Sequence, residues 1–212
     1  MKKLLLVLLC FPIITIAQYG KKKSEKSQFE TIEIKAEMPF MDMKLKSIND
    51  LSYSLKELTE KNGVIVIFTS NTCPFVIKWE DRYTIVEELA KKNNIGVAYI
   101  NSNYKKRKGD DSFKNMQKHA KENNYRFPYL LDEKSKLANS FGAKTTPHMF
   151  VIDEMGKVQY QGAIDNLGNT GALFSTDLSR AKNYVRNAVS QLMSGEEVKD
   201  KKTRPYGCSV KY

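Results

Sequence analysis

Val64-Ile65-Val66-Ile67-Phe68 runs into Thr69-Ser70-Asn71-Thr72-Cys73-Pro74. An unbroken run of β-branched and aromatic side chains reads as a buried strand. From Phe75 the apolar residues fall at Phe75, Val76, Trp79, Tyr83, Val86, Leu89 and Ala90. That spacing of three and four predicts an amphipathic helix with Trp79 and Tyr83 facing the core. Cys73 therefore stands where a central strand ends and a helix begins. Pro74 suits the first helical position, where its missing N–H needs no partner. A thiol at such a place meets unpaired N–H groups and the positive end of the helix dipole, and both favour the nucleophilic thiolate. The alternative is an inert buried cysteine that fills core space.

Upstream, Asn62-Gly63 is a turn signal, and Leu51 to Leu58 is a short helical piece. Met41 to Leu45 alternates as a strand does, and Phe29 to Ile34 alternates in part, as an edge strand would. Residues 18–38 read as a flexible leader that ends in this edge strand. Residues 1–17 begin Met1-Lys2-Lys3, continue as a short apolar run and end on Ala17, the pattern of a cleavable signal peptide. The expected localisation is exported, periplasmic or secreted. A lipoprotein reading through Cys10 is disfavoured, because Leu9 rather than a small residue precedes it and the apolar run continues beyond it.

Downstream, Ile95 to Ile100 is a second buried strand and residues 101–111 form a polar, basic loop. Asp110, Asp111 or Ser112 caps a helix with Phe113, Met116 and Ala120 on one face. Pro128 to Leu131 is a third strand, and Lys134 to Phe141 a short helix stopped by Gly142. Met149 to Ile152 and Val158 to Tyr160 make a hairpin about the turn 153–156. Ser175 or Thr176 caps a last helix with Leu178, Ala181, Val185, Ala188 and Leu192 inward, ended by Gly195. The organisation is thus a signal peptide (1–17), a leader (18–38), one domain (39–195) and a tail (196–212) that carries Cys208.

The 212-residue chain has a formal net charge of +11, which becomes +9 once Lys2 and Lys3 leave with the signal. Its basic residues are scattered apart from Lys21-Lys22-Lys23 and Lys105-Lys106-Arg107-Lys108. No aromatic residues interleave with them, so nucleic-acid binding is not expected. A solvated basic surface that associates weakly with an anionic envelope is the reading that remains. Of three cysteines, Cys10 leaves with the signal. Cys73 and Cys208 stay, and two thiols in an oxidising compartment can pair. Cys208 lies in a short alternating piece after a polar stretch without a core pattern, so the tail is expected to dock on the domain.

Strands alternating with helices, then a hairpin and a closing helix, imply an α/β domain with a mixed sheet covered on both faces. With its Cys-Pro turn and Thr146-Pro147, this order resembles the thioredoxin-like fold. It is most similar to the redoxin branch, the alkyl hydroperoxide reductase and thiol-specific antioxidant relatives. The matching blocks are Val66 to Val76, Ile100 to Asn103, Phe127 to Asp132, Phe141 to Ala143, Thr146-Pro147, Tyr160 to Asp165 and Gly207 to Lys211. Where thioredoxins carry Cys-x-x-Cys, this chain has Ser70-x-x-Cys73. The turn resembles the Thr-x-x-Cys of peroxiredoxins, whose hydroxyl residue helps to position peroxide. Arg82 is a poor match for their arginine, being nine residues along the helix and about 13 Å from the turn.

By this resemblance Pro147 is a cis-proline beside the thiol, with the Thr146 backbone open to a substrate strand. His148 would then lie close enough to stabilise the thiolate or relay a proton; the alternative is a solvent-facing strand residue. The implied catalytic set is Cys73, Cys208, Ser70, Thr72, Pro147 and His148. The implied substrate-binding set is Thr146, Pro147, Pro74 and Phe75. His119 is expected in solvent. No cofactor is implied. Met41, Met43 and Met149 with Cys73 and His148 do not make a copper site, because the Cys-x-x-x-Cys turn of copper chaperones of this fold is absent.

Three functions follow from this reading. The first is an exported enzyme, a thiol oxidoreductase of peroxiredoxin-like antioxidant character. In it Cys73 attacks a peroxide, Cys208 resolves the product, and a thioredoxin-like reductant resets the pair. The second is a thiol-disulfide exchange protein acting on envelope client proteins. The third is a non-catalytic binding domain with a structural Cys73–Cys208 disulfide.

Overall fold

The computed structural model describes residues 30–169 and 181–212. Its strands are β1 (Leu45–Ser47), β2 (Ser52–Tyr53), β3 (Val64–Thr69), β4 (Gly96–Asn101), β5 (Tyr129–Leu131), β6 (Thr145–Thr146), β7 (His148–Ile152), β8 (Val158–Gly162) and β9 (Cys208–Ser209). Its α-helices are α1 (Leu55–Leu58), α2 (Pro74–Lys92), α3 (Phe113–Glu122), α4 (Lys136–Phe141) and α5 (Tyr184–Met193). Seven strands form one mixed sheet in the order β2-β1-β5-β4-β3-β7-β8, and β6 and β9 pair separately. β3 runs parallel to β4, and β4 to β5, while β7 is antiparallel to both β3 and β8. The expected mixed sheet with helices on both faces is what the chain forms.

Every residue of β3 and of β4 is buried. That is why both read as unbroken apolar runs: each side chain meets a covered face whichever way it points. Ile65, Ile67 and Met149 face the core built on α2, α3 and α5. Val66, Phe68 and Phe150 face the core built on Leu55 of α1 and on Leu137, Ala138 and Phe141 of α4. Trp79 and Tyr83 are buried on α2, as the helical spacing predicts.

Several boundaries move. The strand expected at Met41 to Leu45 begins only at Leu45, because Phe40 adopts a left-handed conformation and Met41 and Asp42 lie in the turn that follows. Leu51 to Leu58 divides into β2 and α1, since Ser54 caps α1 in a reciprocal box with Glu57. Residues 30–34 form no strand. They attach instead through the Ile32 N–H to the Phe141 carbonyl, 3.0 Å. Ser112, not Asp110 or Asp111, caps α3 by accepting the Asn115 N–H. α5 begins at Tyr184 under the cap Asn183, so Ala181 precedes it. Residues 1–17, expected to be a signal peptide, Phe29 and the expected caps Ser175 and Thr176 with Leu178 lie outside the described residues.

Candidate active site

Four elements meet at Cys73. β3 ends at Thr69, and Ser70 to Cys73 turn the chain into α2 with Pro74 at its first position. The Cys73 N–H donates to Ser70 Oγ at 3.2 Å, so the hydroxyl in the Ser70-x-x-Cys73 pattern closes the turn itself. The Cys73 thiol donates to the Thr146 carbonyl at 3.0 Å, and the Thr146–Pro147 peptide bond is cis. From the tail, the Cys208 N–H donates to Cys73 Sγ at 3.4 Å. The thiol is 3% exposed. Both cysteines are free.

Cys208 arrives here because β9 pairs antiparallel with β6, Cys208 opposite Thr146 and Ser209 opposite Thr145. Val210 extends the attachment by donating its N–H to the Lys144 carbonyl, 3.1 Å. The expected docking of the tail is therefore present. Burial pushes the Cys208 thiol up to about 11, helped by its hydrogen bond to Cys73 and by the charge Cys73 can carry. Cys208 thus keeps its proton at neutral pH while Cys73 stands next to it.

A buried polar network holds the turn from behind. The Asp111 carboxylate accepts the Asn71 N–H at 2.9 Å, the Asn101 amide at 2.7 Å and the Asn103 amide at 2.9 Å. Tyr129 donates its hydroxyl to Asn71 Oδ1 at 2.8 Å, and burial raises that hydroxyl far above its usual range. Arg107 closes the network by donating to the Asp111 and Asn101 carbonyls, 2.6 and 2.9 Å. In the sequence Asp111 reads as one of three candidate helix caps, and nothing there gives the three asparagines a role of their own. The available signal was polar residues directly after two buried strands, where an unpaired amide is costly.

Other residues expected at the site are placed differently. His148 pairs across the sheet with Phe68, and its ring packs 4.5 Å from that of Phe150. It therefore lies on the face opposite the one that Cys73 and Met149 share, because neighbouring residues on a strand point to opposite sides. It is not in solvent either: it is buried, accepts the Lys144 N–H through Nδ1 at 3.3 Å, and burial lowers its pKa to about 3. Thr72 is exposed and accepts from Lys106 Nζ at 3.3 Å. Pro74 is exposed, Phe75 half-buried and Pro147 buried. Arg82 is spent on an ion pair with Asp165, 3.2 Å, in which both side chains are buried. His119 is not solvated as expected but pairs with Glu80 and packs edge-on against Tyr125. Among the described residues no group of three His, Cys, Asp or Glu is placed to hold a metal ion.

A sheet of this order, with a cysteine at the N-terminus of the helix after its central strand and its thiol on the carbonyl that precedes a cis-proline, defines a thioredoxin-fold protein of the redoxin branch. The chain belongs to the AhpC/TSA family, whose model matches residues 36–161. That match takes in the Cys73 turn and Pro147 and stops before the tail. Among solved structures the chain is similar to an uncharacterized conserved protein of Geobacillus kaustophilus, at 26% identity and TM-score 0.76, covering 86% of this chain and 94% of that one. It is similar to a hypothetical protein of Sinorhizobium meliloti 1021 at 25% identity and TM-score 0.73, covering 86% and 96%. It shares its fold with peroxidoxin BcpB of Mycobacterium tuberculosis, at 18% identity and TM-score 0.53, covering 78% and 97%. No curated protein matches the chain.

Proposed function

We propose that the protein is an exported thiol oxidoreductase whose redox couple is Cys73 and Cys208. The observation that carries this reading is the Cys208 N–H on Cys73 Sγ at 3.4 Å, which brings the two cysteines that follow residue 17 to one point. With a peroxide, Cys73 thiolate attacks one oxygen, the O–O bond breaks, and an alcohol or water leaves as Cys73 becomes a sulfenic acid. The Cys208 thiol then attacks that sulfur. A disulfide forms, water leaves with the Cys208 proton, and two electrons have passed from the thiol pair to the peroxide. A thioredoxin-like reductant returns two electrons and restores both thiols.

The raised Cys208 pKa supports this order of events. Part of the elevation comes from Cys73 itself, through its hydrogen bond and charge. Oxidation of Cys73 to an uncharged sulfenic acid removes the contribution of charge and makes Cys208 a better nucleophile when it is needed. A second reading, exchange with disulfides of envelope clients, is favoured by the pairing of a tail strand with Thr145–Thr146, since an extended peptide pairs with an open edge in the same way.

Intact mass after alkylation, with and without peroxide, tests the proposal. The parent should gain one intramolecular disulfide, and Cys208→Ser should stop at a sulfenic acid on Cys73. If peroxide leaves both thiols of the parent alkylatable while a protein disulfide oxidises them, the exchange reading replaces the peroxidase one. If Cys208→Ser turns over as fast as the parent with the same reductant, Cys208 is not the resolving residue.

A further inference from the structure

Strand β6 pairs with β9 and with no other strand, so among the described residues the chain's own tail supplies the only strand partner of the backbone before Pro147. We propose that residues 207–212 are a displaceable strap occupying the place of an extended, cysteine-bearing polypeptide, so that Cys73 meets a macromolecular partner only after the strap leaves. This inference rests on the reading of Cys73 as the reacting thiol.

The attachment is made mainly by backbone groups. Beyond the β6–β9 pairing, the Lys105 N–H donates to the Lys211 carbonyl at 3.0 Å, and the Lys211 N–H donates to Asn103 Oδ1 at 2.9 Å. Tyr212 gives its hydroxyl to the Ala143 carbonyl. Val210 is the buried apolar anchor, in the Phe68 and Phe150 core. Hydrogen bonds to backbone groups are indifferent to sequence, so another extended chain can replace them strand for strand. Cys208 opposite Thr146 then marks where the partner's cysteine would lie, already beside Cys73 Sγ.

The strap is tethered independently of this contact. Thr203 donates its N–H to the Gln161 carbonyl at 3.0 Å, and the Gln161 N–H donates to the Lys201 carbonyl at 2.9 Å. Release of 207–212 therefore needs motion only beyond Thr203, through Arg204-Pro205-Tyr206-Gly207. Gly207 leaves no room for a side chain in the closed form. A Cβ there would stand 2.1 Å from the Thr146 carbonyl oxygen, a backbone atom that cannot swing aside. With the strap away, the partner's disulfide is attacked by Cys73, one partner thiolate leaves, and a mixed disulfide forms. Cys208 then attacks Cys73 and frees the second partner thiol, so the partner is reduced by two electrons.

The test uses the full chain with Cys208→Ser, so that Cys73 reports alone at the site. Two further variants open the strap: Gly207→Val, and a chain ending at Tyr206. The probes are an extended peptide with one cysteine activated as a thiopyridyl disulfide, hydrogen peroxide, and iodoacetamide, with the site of reaction read by peptide mapping. Opening the strap should raise the peptide rate by about tenfold or more, because the closed state must otherwise open first, while the peroxide rate changes far less. Equal peptide rates with and without the strap, at a Cys73 that does react with peroxide, overturn the strap and leave the proposed function standing. A Cys73 inert to all three probes in every variant overturns both.

Discussion

The amide N–H of Cys208 points at the sulfur of Cys73 across 3.4 Å, although 134 residues separate them. Neither residue is near the other by local structure. One closes the turn after β3 and the other opens β9. Their meeting depends on Thr146, whose carbonyl accepts the Cys73 thiol and whose backbone pairs with Cys208.

The coupling between the two thiols predicts their relative reactivity. Cys208, raised to about 11, should alkylate slowly at pH 8.5 in the parent. Cys73→Ala removes the hydrogen bond and the charge that add to the effect of burial, so Cys208 should react several-fold faster in that variant. Peptide-resolved alkylation rates measure this. A Cys208 rate indifferent to Cys73→Ala would show that Cys73 does not contribute to it.

Asp111 should matter more than its distance in sequence from Cys73 suggests. Asp111→Ala leaves the donors of Asn71, Asn101 and Asn103 without their acceptor. At about 1–3 kcal/mol for each buried donor left unpaired, the loss should be at least about 3 kcal/mol. The turn bearing Cys73 should loosen with it, lowering the rate of peroxide oxidation. Urea unfolding followed by Trp79 fluorescence gives the first quantity and sulfenic-acid trapping the second. An unfolding midpoint equal to that of the parent contradicts the account.

Acidification should destabilise the fold through His148. Its folded pKa of about 3 lies below the unfolded value near 6.5, so the unfolded chain binds the proton first. The stability it contributes is complete above pH 6.5 and is lost as pH falls towards 3, by at most about 1.4 kcal/mol per pH unit. Asp132 and Asp165, whose burial raises them, act in the opposite sense at the acid end. The histidine's loss begins at the upper end of this range, where the unfolded imidazole first takes up its proton. His148→Gln should flatten the stability slope between pH 6.5 and 3 relative to the parent, and an unchanged slope would assign it to another group.

Arg82 and Asp165 should behave as a pair. Burial lowers the arginine and raises the carboxyl, so desolvation outweighs their mutual attraction in both. Arg82 Nη1 and Asp165 Oδ2 also lack an aligned hydrogen bond. Arg82→Met alone should cost about 3–5 kcal/mol by stranding a buried carboxylate. Adding Asp165→Leu should recover much of it. Thermal or urea unfolding of the four members of the cycle decides, and additive losses would show no coupling.

Most of the scaffold was legible in the sequence because its signals are local. Val64 to Phe68 announces a strand buried on both faces. The spacing from Phe75 to Ala90 announces a helix, and Pro74 and Gly142 mark its start and another helix's end. The errors fall where a local pattern competes with a special backbone conformation, as at Phe40 before β1, or where two short elements abut, as at β2 and α1.

The sequence by itself determined that a thiol stands at the N-terminus of the helix after the central strand, with a second cysteine near the end of the chain. Strand run, proline and helical period all lie within a few residues of Cys73 and need no distant partner to be read. Only the tertiary structure decided which residues surround that thiol. It turned His148 to the far face, since one residue's shift along a strand reverses the side chain's direction. It gathered Asn71, Asn101, Asn103 and Asp111 behind the turn, because buried amides must find partners wherever the sheet brings them. It also laid Cys208 against Cys73, because the backbone of β6 had no other strand to complete it.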